Sequence, residues 1–448
     1  MLNVNPLKQL VAQHKQGQRI GMYSACTANE LVIEACLDRA KRDNSYVLIE
    51  ATANQVNQYG GYTGMTPVQF RDYVYQIAAR VNYPKECIIL GGDHLGPLTF
   101  SHLPAKEAMQ EAEELIRQFV SAGFAKIHID TSMRLGDDDP NQKLDSKLIA
   151  ERGARLAQAA ESAFQAHQAE NPDASLPVYV VGSEVPIPGG SQEEEDLVQV
   201  TNVADFKETV ALFEEAFKNL DLTDAWNRVI AVVVQPGVEF GDESIHPYNR
   251  DDAKELSQAL KEYPNLVFEG HSTDYQTPEL LRQMVEDGVI FLKVGPALTF
   301  ALREGLFALS MIESELLGHT GQPLSNLPAV LEQVMLENPK YWEKHYHGDE
   351  HKLRLARKYS FSDRSRYYLP YDDVNQAIEL LFKNLGAVEI PLSLLSQYMP
   401  IQYTKVRRGE LTADPRELVK DRVVNCIDEY LYATGILPFE QEGENGTR

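Results

Sequence analysis

The chain has 448 residues, of which 43% are hydrophobic and 24% charged, and a formal net charge of −24. So acidic a surface excludes nucleic acid and anionic membrane as partners, because neither phosphate backbone nor lipid headgroup gains from it. No apolar run approaches the roughly 20 residues of a membrane span. Cys26, Cys36, Cys87 and Cys426 have no paired spacing, which argues against a disulfide framework and against a cysteine-built zinc site. The first residues read as a polar helix with Leu2, Leu7, Leu10 and Val11 on one side and no apolar signal core, so a soluble cytoplasmic protein is expected.

Short β-branched runs recur along the chain. They are Ile20–Ala25, Tyr46–Glu50, Cys87–Leu90, Lys126–Asp130, Val178–Gly182, Val229–Val234, Leu266–Glu269 and Ile290–Val294. Most are continuous apolar runs, the pattern of parallel strands buried on both faces. Helical patterns alternate with them: Glu30–Arg42, Pro67–Arg80, Ala105–Ala122, Asp145–Ala169, Val203–Lys218, Arg250–Lys261 and Thr277–Asp287. This alternation predicts an α/β fold, a (β/α)8 TIM barrel over residues 1–303. A doubly wound sheet is the rival, weakened by the lack of a G-x-G-x-x-G after the first strand. After Arg303 the strand signals stop. Helical patterns at Leu327–Leu336, Pro339–Tyr346, Val374–Leu385 and Pro415–Tyr432 predict a helical extension over 304–436, and 437–448 reads as a polar tail.

Barrel enzymes carry their reactive side chains at the C-terminal ends of the strands. The unusual polar residues of this sequence cluster there: Asp93-His94, His128 to Ser132, Ser183-Glu184, Gln235, His271 to Asp274, and Lys293. His94, Glu184 and His271 form a set of two imidazoles and a carboxylate suited to one divalent ion, with Asp93 placed to move a proton beside it. Asp130 points into the barrel mouth as a further acid or base, and His128, two residues earlier, reads as a buried structural residue one layer below. Ser272, Thr273, Lys293, Arg303 and Arg364 are candidates for holding phosphate. Asn54 and Gln55, in an amide-rich loop after the second strand, are candidates for sugar hydroxyls. The acidic run Gln192 to Asp196 reads as a solvated loop.

Long motifs now converge. Ile49 to Gln58, Gly91 to Pro97, Val234 to Phe240, His271 to Thr277, Leu292 to Glu304, Ser362-Asp363-Arg364 with Arg366-Tyr367-Tyr368, and Ile390-Pro391-Leu392 with Ser396-Gln397-Tyr398 resemble the non-catalytic subunit of class II D-tagatose-1,6-bisphosphate aldolase. The resemblance runs from about Gly17 to about Tyr432. It implies an accessory subunit that supports the stability and activity of a catalytic class II partner, which cleaves D-tagatose 1,6-bisphosphate to glycerone phosphate and glyceraldehyde 3-phosphate. It further implies galactitol or N-acetylgalactosamine catabolism, zinc or another divalent metal, a sugar phosphate ligand and an oligomer. Members have been labelled tagatose-6-phosphate kinases, yet no nucleotide-binding P-loop is present.

Asp93 and His94 match the catalytic subunit's acid/base and zinc-ligand pair, and His271 matches a second zinc ligand. Two departures stand out. Ser272 and Thr273 replace glycines that let phosphate approach the backbone, and Gln235-Pro236-Gly237 replaces the segment carrying a third zinc-binding histidine. Zinc would then need Glu184, Gln235 or water, and so poor a ligand set favours the accessory role. The alternative is a metal-dependent ketohexose or ketohexose-phosphate 4-epimerase acting alone, with Asp93 and Glu184 or Asp130 exchanging protons.

Overall fold

Eight apolar runs, too short for helices and rich in Val and Ile, become eight parallel strands. The computed structural model describes residues 5–182 and 198–438. The strands are β1 (Met22–Cys26), β2 (Val47–Thr52), β3 (Ile88–Leu95), β4 (Lys126–Ile129), β5 (Val178–Val181), β6 (Val229–Val234), β7 (Glu239–Phe240), β8 (Ile245–His246), β9 (Val267–Gly270) and β10 (Val289–Val294). All but β7 and β8 close into one barrel, in the order β1-β10-β9-β6-β5-β4-β3-β2, and every neighbouring pair is parallel. The (β/α)8 expectation is met. β7 and β8 form a small antiparallel hairpin after β6.

The ring helices carry ordinary capping chemistry. Asn29 accepts from the Val32 N–H at the start of helix Glu30–Asp43, Asp145 caps Ser146–Glu170, and Thr277 with a following proline opens Pro278–Glu286. Helix Pro6–Lys15 buries Leu7, Leu10 and Val11, and its capping Asn5 donates to the Ala125 and Leu176 carbonyls at the N-terminal end of the barrel. No helix among the described residues is long and apolar enough to cross a membrane.

The C-terminal part is helical, and its last helix is built into the barrel wall. Helix Pro415–Thr434 packs on Pro296–Leu317, on Pro278–Glu286, on Glu30–Asp43 and on β1. It thereby lies between ring helices from the two ends of the barrel sequence. A Cβ on Gly305 would sit 3.4 Å from the Val419 Cα, so a small residue there permits close helix contact. Tyr430 is buried and donates its hydroxyl to the Thr273 carbonyl at 3.0 Å. One expected helix is corrected: residues 339–346 hold only a 3-10 turn, Pro339–Tyr341, because Asn338 leaves helical geometry before the proline. A helix at Glu350–Tyr359 follows instead.

Candidate metal centre and substrate pocket

Charged residues interrupt the apolar strands at alternate positions, and alternate positions of a barrel strand face its interior. Glu50 on β2 is level with Gly91 on β3, and Gly91 with Lys126 on β4. A Cβ on Gly91 would meet the Glu50 Cγ at 2.7 Å, so glycine there gives the carboxylate its room. Lys126 Nζ donates to Glu50 Oε1 at 2.7 Å and lies 2.5 Å from Glu269 Oε2, an ion pair without a well-directed hydrogen bond. One layer up, Lys293 Nζ lies 2.5 Å from Glu50 Oε2 and 2.5 Å from Asp93 Oδ1. All five side chains are buried. Burial opposes the charge on each lysine, but the surrounding carboxylates outweigh it and hold both ammonium groups above their ordinary range.

Above this column stand three imidazoles, each with one nitrogen on a carboxylate. His94 Nδ1 meets Asp130 Oδ2 at 2.9 Å, His128 Nδ1 meets Asp93 Oδ1 at 2.8 Å, and His271 Nε2 meets Glu269 Oε1 at 3.1 Å. Ring centroids are 4.8 to 5.1 Å apart. The His94 N–H also approaches His128 Nδ1 at 3.1 Å, and one nitrogen cannot both accept it and donate to Asp93. The carboxylate contact is shorter and charge-assisted, so it fixes the proton on Nδ1. That leaves Nε2 of His128 a buried lone pair with no hydrogen-bond partner.

Asp93, His94, His128 and His271 each offer a donor atom, all within 4.8 Å of one another. Imidazoles oriented by carboxylates through their second nitrogen are the usual arrangement around a bound divalent ion. The donor set fits such an ion: nitrogen-rich, with one carboxylate and an unmatched lone pair. Asp93 stays ionised. Burial pushes its carboxyl up, but His94, Lys293 and the His128 hydrogen bond together hold it well below the usual range. Burial drives His271 down to about 3, which keeps its ring neutral and able to ligate. For Asp130 burial is likewise outweighed, chiefly by His94, and its carboxyl sits at about 2.

The centre opens into a pocket lined by Asn54, Gln55, Asp93, His94, His271 and Lys293, among others. At the rim, His94 (φ 48°) and Ser272 (φ 54°) adopt the left-handed backbone region. Ser272 therefore keeps a conformation that glycine favours, although it is not glycine. A Cβ on Gly96 would fall 1.7 Å from the Asp130 carbonyl, so glycine is required where β3 leads into the loop against Asp130.

Several expected site residues have other work. His128, expected to be structural, stands with Asp93, His94 and His271 in the group of side chains that could hold a metal ion. The Gln235 side-chain oxygen instead accepts the Gly237 and Val238 N–H groups, each at 2.9 Å. Asp130 is not among the pocket-lining residues; it orients His94 while its other oxygen accepts from Ser132. Thr273 turns into the wall, donating to the Lys293 carbonyl at 2.6 Å. Arg303 is buried against Asp363 and the Phe300 ring, and Arg364 donates to the Tyr341 carbonyl at 3.0 Å. Glu184 and the acidic run Gln192 to Asp196 lie outside the described residues. Glu50, Lys126, Glu269, Cys26 and Tyr367 were not among the candidate site residues read from the sequence. The signal for the first three was a charge inside an otherwise apolar strand.

A crystal structure of a probable tagatose 6 phosphate kinase from Sinorhizobium meliloti 1021 is 44% identical, covering 92% of this chain and 100% of that chain at a TM-score of 0.84. A fructose-bisphosphate aldolase from Campylobacter jejuni, 14% identical over 87% of this chain and 97% of that one, gives a TM-score of 0.44, a likeness too low to carry an argument. The family described as D-tagatose-1,6-bisphosphate aldolase subunit GatZ/KbaZ-like matches residues 7–435. The chain belongs to that GatZ/KbaZ-like family.

Proposed function

We propose that this chain has an active site of its own, a metal-dependent centre for aldol-type chemistry on a ketohexose or ketohexose phosphate, and that the reaction is epimerisation at C4. The observation that carries the reading is the set of three carboxylate-oriented histidines beside Asp93. His94, His128 and His271 would hold the ion, and zinc suits this nitrogen-rich set. Such an ion supplies Lewis acidity toward the C2 ketone.

The residues of the chain account for the rest. A lysine that forms a Schiff base must shed its proton, whereas Lys126 and Lys293 are held charged among carboxylates. Carbonyl activation by lysine is therefore disfavoured. Asp93 Oδ1 is taken by His128 and Lys293, so its Oδ2 serves as the acceptor for the C4 hydroxyl proton. Loss of that proton breaks the C3–C4 bond: the electron pair passes to the C2 carbonyl, C4 becomes an aldehyde, and C3 becomes part of an enediolate. Re-addition to the other aldehyde face, with return of the proton from Asp93, inverts C4. The second departure from the catalytic subunit loses its weight, since His128 stands in for the missing histidine.

The test uses the purified chain alone with zinc, supplied with D-tagatose and its phosphate esters and followed by NMR. Fructose-configured signals that disappear in Asp93→Asn support the proposal. An unchanged spectrum refutes it.

Family membership favours a second reading: an accessory subunit, soluble and cytoplasmic, that assembles with a catalytic class II tagatose-bisphosphate aldolase subunit and raises its stability and activity. Co-purification with that partner and a higher thermal midpoint of the mixture would support it, and Asp93→Asn would leave the partner's activity unchanged.

A further inference from the structure

Asp93 stands among the donor atoms of the centre, yet a proton acceptor must keep its carboxylate off the metal. Carboxylates are ordinary zinc ligands, so a free one at this distance would be drawn into the shell. The distance is short. With Nδ1 on Asp130, His94 presents Nε2 to the ion, and that nitrogen lies 3.9 Å from Asp93 Oδ2. Bonds of about 2.1 Å in a tetrahedron separate neighbouring donors by about 3.4 Å. A small turn of the carboxylate would make Asp93 a ligand.

Lys293 opposes that turn. It lies on β10 level with Ser24 of β1, and Glu50 lies on β2 level with Cys26. Lys293 Nζ donates to Glu50 Oε2 at 2.5 Å and lies 2.5 Å from Asp93 Oδ1. Glu50 is itself fixed through its other oxygen, which accepts from Lys126 at 2.7 Å. The ammonium is therefore tethered from below, and it holds the same oxygen of Asp93 that His128 Nδ1 meets at 2.8 Å. Among the described residues, Oδ2 has only longer contacts, to Cys26 Sγ at 3.8 Å and to His94 Nε2. One oxygen is pinned and the other is left to the pocket.

The two lysines of the column differ in place. Lys126 is sealed from solvent, whereas Lys293 lines the pocket beside Asp93 and His94. Cys26, Glu50 and Asp93 also stand close enough together to share a cation, and the Lys293 ammonium already bridges the two carboxylates of that group.

We infer that Lys293 is a positioning residue: by holding Asp93 Oδ1 it keeps this carboxylate out of the metal's shell, a base beside the ion rather than a fourth protein ligand. The inference rests on the three-histidine centre proposed above and is independent of which reaction the centre performs.

The experiment is a double-mutant cycle of Lys293→Met and Asp93→Asn in the full-length chain. Zinc affinity is read by competition against a chromogenic chelator, and stoichiometry by atomic emission. In the wild type, Asp93→Asn is expected to lower zinc affinity by no more than roughly 10-fold, the effect of a group outside the shell. Lys293→Met is expected to bind one equivalent more tightly than wild type, because Asp93 turns in as a ligand. In that background Asp93→Asn is expected to cost roughly 100-fold or more. Should Lys293→Met fail to fold, Lys293→Met with Glu50→Gln keeps the net charge of the column and carries the same comparison. An equal cost of Asp93→Asn in both backgrounds, or a second equivalent of zinc in Lys293→Met, overturns the inference. A wild type that binds no zinc removes the centre itself and the inference with it. The expected cycle in a chain without turnover removes the epimerase reading alone.

Discussion

His128 Nδ1 lies 2.8 Å from Asp93 Oδ1, and this contact joins the third imidazole of the centre to its carboxylate. The bond orients the ring so that Nε2, which has no hydrogen-bond partner, stands beside His94 and His271. His128→Ala is expected to lower affinity for zinc more than any change at a supporting residue. Asp130→Asn, which only loosens the orientation of His94, is expected to lower it about 10- to 100-fold. Competition against a chromogenic chelator measures both. Equal affinity of the wild type and His128→Ala would remove His128 from the ligand set.

Lys126 neutralises Glu50 and Glu269 where none of the three side chains is exposed to solvent. Lys126→Met keeps the volume of the side chain and removes the ammonium shared by Glu50 and Glu269, leaving two buried carboxylates to Lys293. It is expected to destabilise the fold by about 3–5 kcal/mol, as breaking a buried pair does. Urea unfolding measures this. The triple change with Glu50→Gln and Glu269→Gln is expected to recover much of the loss.

Asp274 is expected to make stability depend on pH. Burial raises its carboxyl from 3.8 to about 6, against the opposing hydrogen bonds from the Ala297 and Gly295 N–H groups. A carboxyl raised on folding contributes stability that is full below the unfolded value and is lost as pH rises through the folded one. The window therefore runs from about pH 4 to about pH 6, and the shift is worth at most roughly 3 kcal/mol. Asp274→Asn keeps an acceptor for both N–H groups and has no such dependence. Relative to wild type, its unfolding free energy is expected to rise across that window, and a flat difference would refute the assignment.

The final helix is expected to be indispensable to the barrel. Tyr430→Phe removes one buried hydroxyl that donates to the Thr273 carbonyl and is expected to cost about 1 kcal/mol. A chain ending at residue 414 lacks Leu418, Val419, Val423 and Ile427, all fully buried, and is expected not to fold. Circular dichroism of the two variants separates a local loss from a global one.

The barrel was legible because buried parallel strands are continuous apolar runs, and the run Val229–Val234 coincides with β6. The C-terminal ends of strands were less so. β3 was expected to stop at Leu90 but runs to Leu95, since Gly91 and Gly92 continue the ladder beside Glu50 and Ala51. Asp93 and His94 were candidates from the sequence because polar residues at strand ends stand out, and both line the pocket. His128 was read as a structural residue one layer down because spacing shows which face a residue shares, not its height relative to neighbouring strands. Gln235 was a candidate ligand by residue type alone, and its amide oxygen accepts from the Gly237 and Val238 N–H groups, as an amide satisfies a turn as readily as it binds a metal. Arg364 and Arg366 lie two residues apart, and only the folded segment decides that Arg366 is the one lining the pocket.

The central claim is that His94, His128 and His271 bind one divalent ion. The direct measurement is zinc X-ray absorption spectroscopy on the full-length chain, paired with metal stoichiometry by atomic emission. One equivalent of zinc with three imidazole ligands, falling to two with weakened retention in His128→Ala, is the expected result. A chain that retains no zinc above background, or an imidazole count unchanged by His128→Ala, would contradict the account.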